Sequence, residues 1–552
     1  MGRDRPPLSG RGREAIALAG RALIVAVPVA FLGLMFWYPL AVIGAEAFDG
    51  NAVVDVWTDR ITWDVVWFTT WQAGASTALT LLIAFPTAAA LAKFEFRGRR
   101  AVTAAVTVPF VLPSVVVATA FLALFDRFSL DGGSIDLRQS VWAVLIAHVF
   151  FEFAIVVRTV GGYWAQLDER PAEAARTLGA GPVRTFAQVT LPRLMPAVAS
   201  AAALVFLFTF TSFGIILILG GPRRATLDTE IWRFATQRLE FDVAAALTVV
   251  QLVTVLGVVV LNAHLSRRTG NAGGLRAEHR RPVRSRRQRV SLAGGLGTAA
   301  VVLGVPLAVL AERSVRTRDG FSLSYWRSLG GAGDTRIRAL FVAPVDAIVN
   351  SLTFAAVATL IALVVGTAAS LVIVHGRHLV SRLLEVAVLV PLGTSAVAVG
   401  FGILVGLDTP PVDLRSRWIL VPLAHAVIGT PFVVRSVVPV LRGIDRHVRE
   451  AAVVLGAAPG TVRREIDLPM AARALTAGAA FTFAISLGEF GATSFVVRAD
   501  RPTVPVAIFE LLGRPGEAAF GQAMALSVIL VAMTGAAVWL IDRLGPGELR
   551  AI

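Results

Sequence analysis

The sequence predicts an all-α integral membrane protein with about twelve transmembrane helices, arranged as two homologous six-helix halves. Hydrophobic residues make up 56% of the 552 residues, and the mean hydropathy is +0.71, whereas soluble chains are about 45–50% apolar. Apolar runs of about 20 residues recur along the chain, which is the length needed to cross a bilayer core. Blocks of residues also repeat at one fixed spacing.

Each apolar run predicts one span, with boundaries uncertain by a few residues. The predicted spans are 21–46, 66–92, 101–125, 141–163, 194–220, 243–265, 289–311, 349–375, 383–407, 418–441, 472–497 and 519–542. The chain has no cysteine, so it has no disulfide framework, thiol nucleophile or thiolate metal site.

Arginine predicts the orientation of the spans. The formal net charge is +15, and Lys93 is the only lysine. Arginines cluster near the N-terminus, in the loop 93–100 and in the stretch 266–288, and six spans before that last stretch place all three clusters on one side. The positive-inside rule makes that side the cytoplasm, with both termini in it. Nucleic-acid binding is disfavoured because the arginines lie between apolar spans rather than on a soluble domain.

One loop departs from this pattern. Residues 312–348 are predicted outside, yet they include Arg313, Arg316, Arg318, Arg327, Arg336 and Arg338. Either this loop binds an acidic partner or one span is miscounted. We favour the first interpretation because charge in longer loops influences orientation less.

An internal repeat divides the chain into its two halves. Several pairs of matching segments lie 277 residues apart: Glu173-Ala174-Ala175 and Glu450-Ala451-Ala452, Gly179 and Gly456, Leu191-Pro192 and Leu468-Pro469, Ala147-His148 and Ala424-His425, and Phe213-Gly214 and Phe490-Gly491. The predicted organisation is a cytoplasmic tail (1–20), a first six-helix half (21–265), an arginine-rich cytoplasmic linker (266–288), a second six-helix half (289–542) and a C-terminal tail (543–552). We interpret the linker as a solvated connector.

The repeated segments 169–192 and 447–469 are cytoplasmic and carry helix signals. In the first, Asp168 and Pro171 suit a helix start. Gly179 suits the end of that helix, and Pro182 suits the start of a second short helix that Pro192 ends. Two short helices joined at a glycine form a compact knob, whose small residues let a partner approach the backbone.

This repeated pattern resembles the coupling-loop signature of type I ABC importer permeases: Glu-Ala-Ala, then Gly, then Leu-Pro. The resemblance implies an all-α permease whose loops contact ATPase subunits. The coupling residues it implies are Glu173, Ala174, Ala175, Gly179, Leu191 and Pro192 in the first copy, and Glu450, Ala451, Ala452, Gly456, Leu468 and Pro469 in the second.

The energy source is expected on other subunits. The chain has no P-loop, because that motif needs Gly-Lys-Ser/Thr and Lys93 lies in ALAKFEF. We therefore expect the chain not to be an enzyme itself and to carry no cofactor, and the resemblance implies that ATP and Mg²⁺ bind to two copies of an ABC ATPase subunit. The resemblance also implies an extracytoplasmic solute-binding protein as partner and a bacterial plasma membrane as location.

The fused form resembles the ferric-iron and thiamine importer permeases. The resemblance therefore leaves two candidate solutes, ferric iron and thiamine. Gly-Gly-Pro and Phe-Asp-Val-Ala-Ala-Ala in the segment 210–251 are similar to the thiamine type, while Gly-Glu-Phe-Gly in 486–512 suits both types. Much of the specificity in such importers lies in the binding protein.

Polar residues inside spans are candidates for the solute path, because charge in the bilayer core is costly. The candidates are Glu152, Glu489, Ser212, His148 and His425, with Ser212 in place of Glu489 in the first half. Interhelical hydrogen bonding is the alternative role. The set is too sparse for a metal site.

A secondary transporter with ion coupling is the alternative function, because such carriers also use two six-helix repeats. That alternative gives no reason for the paired Glu-Ala-Ala loops.

Overall fold

The computed structural model describes residues 22–49, 52–130, 136–269, 280–330, 342–376, 378–408 and 414–544. The predicted tail 1–20, the linker residues 270–279, and Arg336 and Arg338 lie outside these residues.

Within the described residues, ten helices are long and apolar enough to cross a membrane, and two bent helix pairs raise the number to twelve. The ten are Ala22–Phe48, Arg60–Lys93, Val141–Ala165, Pro182–Phe210, Phe241–Val258, Arg286–Arg313, Pro344–His375, Leu420–Gly443, Pro459–Gly488 and Glu517–Ala537. The predicted fold class is confirmed. We number the twelve spans in chain order, counting each bent pair as one.

Spans 3 and 9 are the bent pairs, and the prediction of continuous helices there is wrong. Span 3 consists of Arg99–Pro109 and Ser114–Arg127 at 98°, and span 9 of His378–Gly393 and Ala396–Gly406 at 106°. In span 3 the bend comes at Pro113, because a residue before proline is pushed out of the helical region. Leu112 is extended there, at ψ 140°.

Spans 5 and 11 begin and end earlier than predicted. Span 5 was expected at 194–220 and runs from Pro182 to Phe210, whereas span 11 was expected at 472–497 and runs from Pro459 to Gly488. The expected single short helix ending at Pro192 is also wrong, since this proline lies inside span 5. The apolar residues after Phe210 form a separate helix, Gly214–Leu219.

Four π-helical turns explain how prolines fit inside spans. The turns Gly33–Trp37, Phe186–Thr190, Ala300–Gly304 and Arg463–Asp467 each end two residues before a proline. At Pro192 and Pro469, the preceding leucine donates its N–H across the wider turn to Phe186 and Arg463 respectively. A wider turn gives the proline ring space that an α-helix lacks.

The shorter elements connect the spans. The remaining helices are Ala52–Thr58, Arg170–Thr177, Leu227–Arg233, Ser324–Ser328, Arg446–Val454, Thr493–Val496 and Val504–Leu512. Strand Phe94–Glu95 pairs in parallel with Arg281–Pro282, and Arg316–Thr317 pairs antiparallel with Gly320–Phe321.

The first compact unit contains the described residues 22–42, 352–486 and 537–544. Its core is built from small and branched residues of spans 8, 10 and 11, such as Ala362, Val433 and Ala474. Phe31 and Leu32 of span 1 pack in this unit, so span 1 belongs with spans of the second half.

The second compact unit contains the described residues between 43 and 351 together with 487–536. Its core includes Phe121, Phe150 and Phe153. Span 7 packs here with Ala299 and Leu303, although it starts the second half of the sequence. The sequence halves and the compact units therefore divide the chain differently, because the first span of each half packs with spans of the other half.

Candidate functional site

We call the repeated segments 169–192 and 447–469 the first and the second coupling loop. The first coupling loop consists of a short helix, a glycine turn and the start of span 5. Asp168 accepts a hydrogen bond from the N–H of Arg170 (3.1 Å), where helix Arg170–Thr177 begins. Gly179 has a φ of +86°, which L side chains rarely adopt. Ala180 N–H then bonds to Ala175 C=O at 2.9 Å, which is the bond that closes a Schellman helix end.

The second coupling loop reproduces this backbone. Helix Arg446–Val454 ends at Gly456, also at φ +86°. Ala457 N–H bonds to Ala452 C=O at the same 2.9 Å. The 277-residue repeat thus marks two copies of one backbone conformation.

Both loops expose a large apolar residue just before the glycine. Leu178 is 89% exposed and its repeat partner Leu455 is 87% exposed. A single exposed leucine is common on protein surfaces and needs no explanation by itself. Here they occupy the same position in both copies, as expected for a surface that contacts a partner.

The glutamates of the two loops have different surroundings. Glu173 is paired with Arg281, which also contacts Glu169 at 2.5 Å. The hydrogen bond with Glu173 raises the pKa of Arg281 above its ordinary value. Among the described residues, Glu450 is paired only with Arg446, 3.8 Å away on the same helix.

Arg281 belongs to the linker, whose described part is more ordered than a solvated connector. Strand Arg281–Pro282 pairs with Phe94–Glu95 of the first cytoplasmic loop. Ser285 then caps span 7 by accepting the N–H of Gln288 (3.2 Å). Strand pairing, a cap and two ion pairs hold residues 280–288, and the interpretation of the linker 266–288 as a solvated connector stays a prediction.

The first coupling loop is attached to the spans through aromatic rings. Phe186, in the π-turn of span 5, lies 5.8 Å from the ring of Phe85 and 6.0 Å from that of Trp164. Lys93 lies 4.3 Å above the Trp164 ring. These ring contacts join the start of span 5 to spans 2 and 4.

The second coupling loop is attached through a buried acid, Asp467, which sequence reasoning missed. Its carboxylate accepts a hydrogen bond from Arg449 Nε (2.8 Å), and His375 Nε2 at the end of span 8 lies 3.3 Å away. Asp467 is 0% exposed. The sequence did contain a signal for this residue, because an acid stands directly before Leu-Pro in the second copy, where the first copy has Thr190.

The two predicted histidines are buried and bonded to serines of the same unit. His148 Nε2 is 2.9 Å from Ser212 Oγ, and its Nδ1 is 3.3 Å from Ser76 Oγ. His425 Nδ1 is 2.7 Å from Ser486 Oγ. These contacts support the interhelical role considered above, and a role in the solute path stays a prediction.

The two predicted glutamates differ from each other. Glu489 accepts hydrogen bonds from the N–H groups of Ala492 and Thr493, both at 2.8 Å, so it caps the helix Thr493–Val496. Glu152 is 1% exposed, and neither of its carboxylate oxygens has a hydrogen-bond partner among the described residues. Glu152 is consequently the stronger of the two path candidates, and both assignments stay predictions.

Three of the six arginines in the loop 312–348 are paired with acids of their own unit. Arg313 pairs with Asp126, Arg316 with Glu312, and Arg318 with Glu517 at 2.7 Å. These pairs reduce the positive charge available to an acidic partner, so docking there stays an untested prediction.

Comparison with known proteins agrees with this geometry. The family of binding-protein-dependent transport system inner membrane components matches residues 81–271. The thiamine transport system permease protein ThiP of Brucella abortus is 27% identical over 533 residues, covering 92% of each chain. The probable ABC transporter permease protein y4fN of Sinorhizobium fredii is 24% identical over 524 residues, covering 87% of this chain and 89% of the relative.

A third relative covers one half. The putative 2-aminoethylphosphonate transport system permease protein PhnV of Salmonella typhi is 30% identical over 246 residues, covering 44% of this chain and 89% of the relative. The alignment with ThiP extends over both halves, as the repeat does. The chain belongs to the family of binding-protein-dependent transport system inner membrane components and is a type I ABC importer permease with its two halves fused.

Proposed function

We propose that the chain forms the solute path of a thiamine importer, with each coupling loop docking on one of two ATPase subunits. The two loops carry this proposal because they share one backbone conformation and one exposed leucine position. A symmetric pair of ATPase subunits needs two equivalent contacts, and the repeat supplies them.

Docking at these loops has a physical basis in their shape. The glycine turns have open space, since nothing lies within 4 Å of a Cβ built on Gly179 or Gly456. A partner's groove can therefore approach the backbone there. The first turn of each helix also carries partial positive charge, which favours an acid at Glu173 in the first loop.

The solute is proposed from the relatives. The relative that aligns with both halves and names a solute names thiamine, and the one that names 2-aminoethylphosphonate covers 44% of this chain. None of the three relatives described above names iron, so the ferric-iron expectation has no support from them. Thiamine is therefore the solute that we propose.

The remaining features of the assembly follow from this proposal. The protein lies in the plasma membrane with both termini in the cytoplasm, on the side of the coupling loops. A solute-binding protein delivers thiamine from the opposite side, and ATP and Mg²⁺ bind to the ATPase subunits. The family assignment argues against the alternative of a secondary transporter, which would take up solute without an ATPase.

Uptake by reconstituted vesicles tests the solute and the energy source together. The permease is inserted with its co-purified ATPase and binding protein, and accumulation of labelled thiamine is measured with and without internal ATP. We expect ATP-dependent accumulation that excess 2-aminoethylphosphonate or ferric citrate does not reduce. Competition by either compound, or accumulation without the ATPase, contradicts the proposal.

A further inference from the structure

Four aromatic rings of the second compact unit form a cluster that the coupling loops do not explain. The ring cluster consists of Phe213, Trp232, Phe490 and Phe509. Phe213 and Phe490 are 277 residues apart, and so are Trp232 and Phe509. The cluster is thus built from two pairs of repeat-related positions.

The four rings contact one another in a closed circuit. Phe213 and Phe490 are stacked, with centroids 5.4 Å apart and planes at 24°. Trp232 lies 6.1 Å from Phe213 and also 6.1 Å from Phe509, and Phe509 lies 5.4 Å from Phe490. These spacings fall within the usual range for interacting rings.

The ring cluster differs from an ordinary core in its exposure. Phe213 and Phe490 are buried, at 6% and 2% exposure, but Trp232 and Phe509 are each partly exposed. Trp232 Nε1 is buried and has no hydrogen-bond partner among the described residues. A buried indole N–H normally finds an acceptor, so Trp232 is incompletely satisfied by the described residues in this arrangement.

The surroundings place the cluster beside the break in span 3. A Cβ on Gly214 would collide with Ser114 Oγ, and a Cβ on Gly488 would lie 3.0 Å from Pro113 Cγ. These glycines lie next to Phe213 and close to Phe490 in sequence. Transporters commonly place solute sites at broken helices near the meeting of their repeats.

The cluster also lies far from the coupling loops. Span 5 has 29 residues from Pro182 to Phe210, which corresponds to about 43 Å of helix. Phe213 follows its far end, and two of the predicted path residues, Ser212 and Glu489, directly precede Phe213 and Phe490.

We propose that the ring cluster is a solute-binding site of the transport path for an organic cation with aromatic rings, which contacts the exposed parts of Trp232 and Phe509, whose ring planes lie at 89° to each other. Ring faces attract cations, and tryptophan does so most strongly. The cations found over rings in the described residues lie at Trp164, Phe128 and Phe234 instead. This inference rests on the proposed function, because thiamine is a cation with two flat rings.

Binding of thiamine to the permease–ATPase complex in lipid nanodiscs, measured by calorimetry without ATP and without the solute-binding protein, tests the site. Trp232→Leu and Phe509→Leu remove the ring and keep an apolar side chain, so we expect each to raise the dissociation constant about tenfold or more. Trp232→Phe keeps a ring and is expected to retain most of the affinity. The matched control is Phe206→Leu, since Phe206 belongs to a stacked pair with Phe210 outside the cluster.

A neutral analogue tests the role of charge. Thiochrome is flat and uncharged, so we expect it to bind the wild-type complex about tenfold more weakly than thiamine. Unchanged thiamine affinity in both leucine variants, equal affinity for thiochrome, or no binding to the wild type overturns the site. If one leucine variant elutes aggregated, the other leucine variant carries the test alone, and the comparison of thiochrome with thiamine in the wild type needs no variant.

The uptake measurement separates this inference from the proposed function. If the wild type binds thiamine through the rings but accumulates none with ATP, the proposed function fails and the site stands. If ATP-dependent uptake and thiamine binding both persist unchanged in Trp232→Leu and Phe509→Leu, the site fails and the proposed function stands.

Discussion

Gly179 and Gly456 are the residues on which the coupling loops depend most. Both have a φ of +86° and open space around a Cβ. Glycine is therefore required at these two positions because of the backbone conformation and not because a side chain would collide with its neighbours. The same reasoning separates them from Gly181, which has an ordinary φ of −63° and equally open space.

Replacing either turn glycine by valine is expected to uncouple ATP hydrolysis from transport. A residue with a Cβ costs about 1–2 kcal/mol in the left-handed conformation, so the loop changes shape while the spans still insert. Transport per ATP hydrolysed should fall several-fold in Gly179→Val and Gly456→Val. Gly181→Val is the matched control and should retain coupling, and full coupling in both turn variants would show that the loop conformation is unimportant.

Asp467→Asn tests the buried acid of the second loop. The change leaves Arg449, whose side chain is 18% exposed, without its charged partner. Removing one member of a buried ion pair costs about 3 kcal/mol or more, so the apparent melting temperature of the purified protein should fall. Glu465→Gln, at an exposed position two residues earlier, serves as control, and equal melting temperatures would exclude a stabilising role for Asp467.

At the scale of elements, the linker strand Arg281–Pro282 contacts the first coupling loop, which lies in the second compact unit together with span 7. Sequence reasoning found the spans, because apolar length alone predicts them. It missed the bends of spans 3 and 9 and the continuation of spans 5 and 11 through Pro192 and Pro469. Those features depend on local backbone geometry at prolines, where π-turns and bends compete.

Arg281→Ala is expected to loosen the first coupling helix and leave the second unaffected. The arginine joins the linker to Glu169 and Glu173, and exposed pairs of this kind are worth about 1 kcal/mol or less. Hydrogen exchange of Arg170–Thr177 should accelerate up to about fivefold, with no change in Arg446–Val454. Arg284→Ala, exposed on the same segment, should change neither helix, and an unchanged first helix in Arg281→Ala would contradict this role.

Gly295 provides a test of how span 7 packs. A Cβ at this position would lie 2.6 Å from Ala90 Cβ and 2.7 Å from Pro86 C=O, while nothing lies within 4 Å of one at Gly294. Thr87 also donates a hydrogen bond to Gly295 C=O at 2.7 Å. Gly295→Val should destabilise the protein by about 1–3 kcal/mol, seen as a lower melting temperature, and Gly294→Val should not. Equal effects of the two substitutions would contradict the packing of span 7 against span 2 at Gly295.

At the scale of the whole molecule, the repeat predicted two copies of one fold but not which spans pack together. Spans 1 and 7 each join the compact unit that holds spans of the other half, because Phe31 and Gly295 find their contacts there. No sequence pattern within a half identifies such an exchange. The ring cluster was equally hidden, since Trp232 and Phe509 differ in type and match only once the 277-residue spacing is applied.

The central claim is that one chain supplies two ATPase contacts. The mass of the complex purified from native membranes tests this claim most directly. Native mass spectrometry of the tagged permease should show one copy of this chain with two copies of a P-loop ATPase. Loss of ATPase copies in a Leu178→Asp, Leu455→Asp variant would place the contact at the exposed leucines. A wild-type chain that purifies without any ATPase, or with a single copy, would contradict the account.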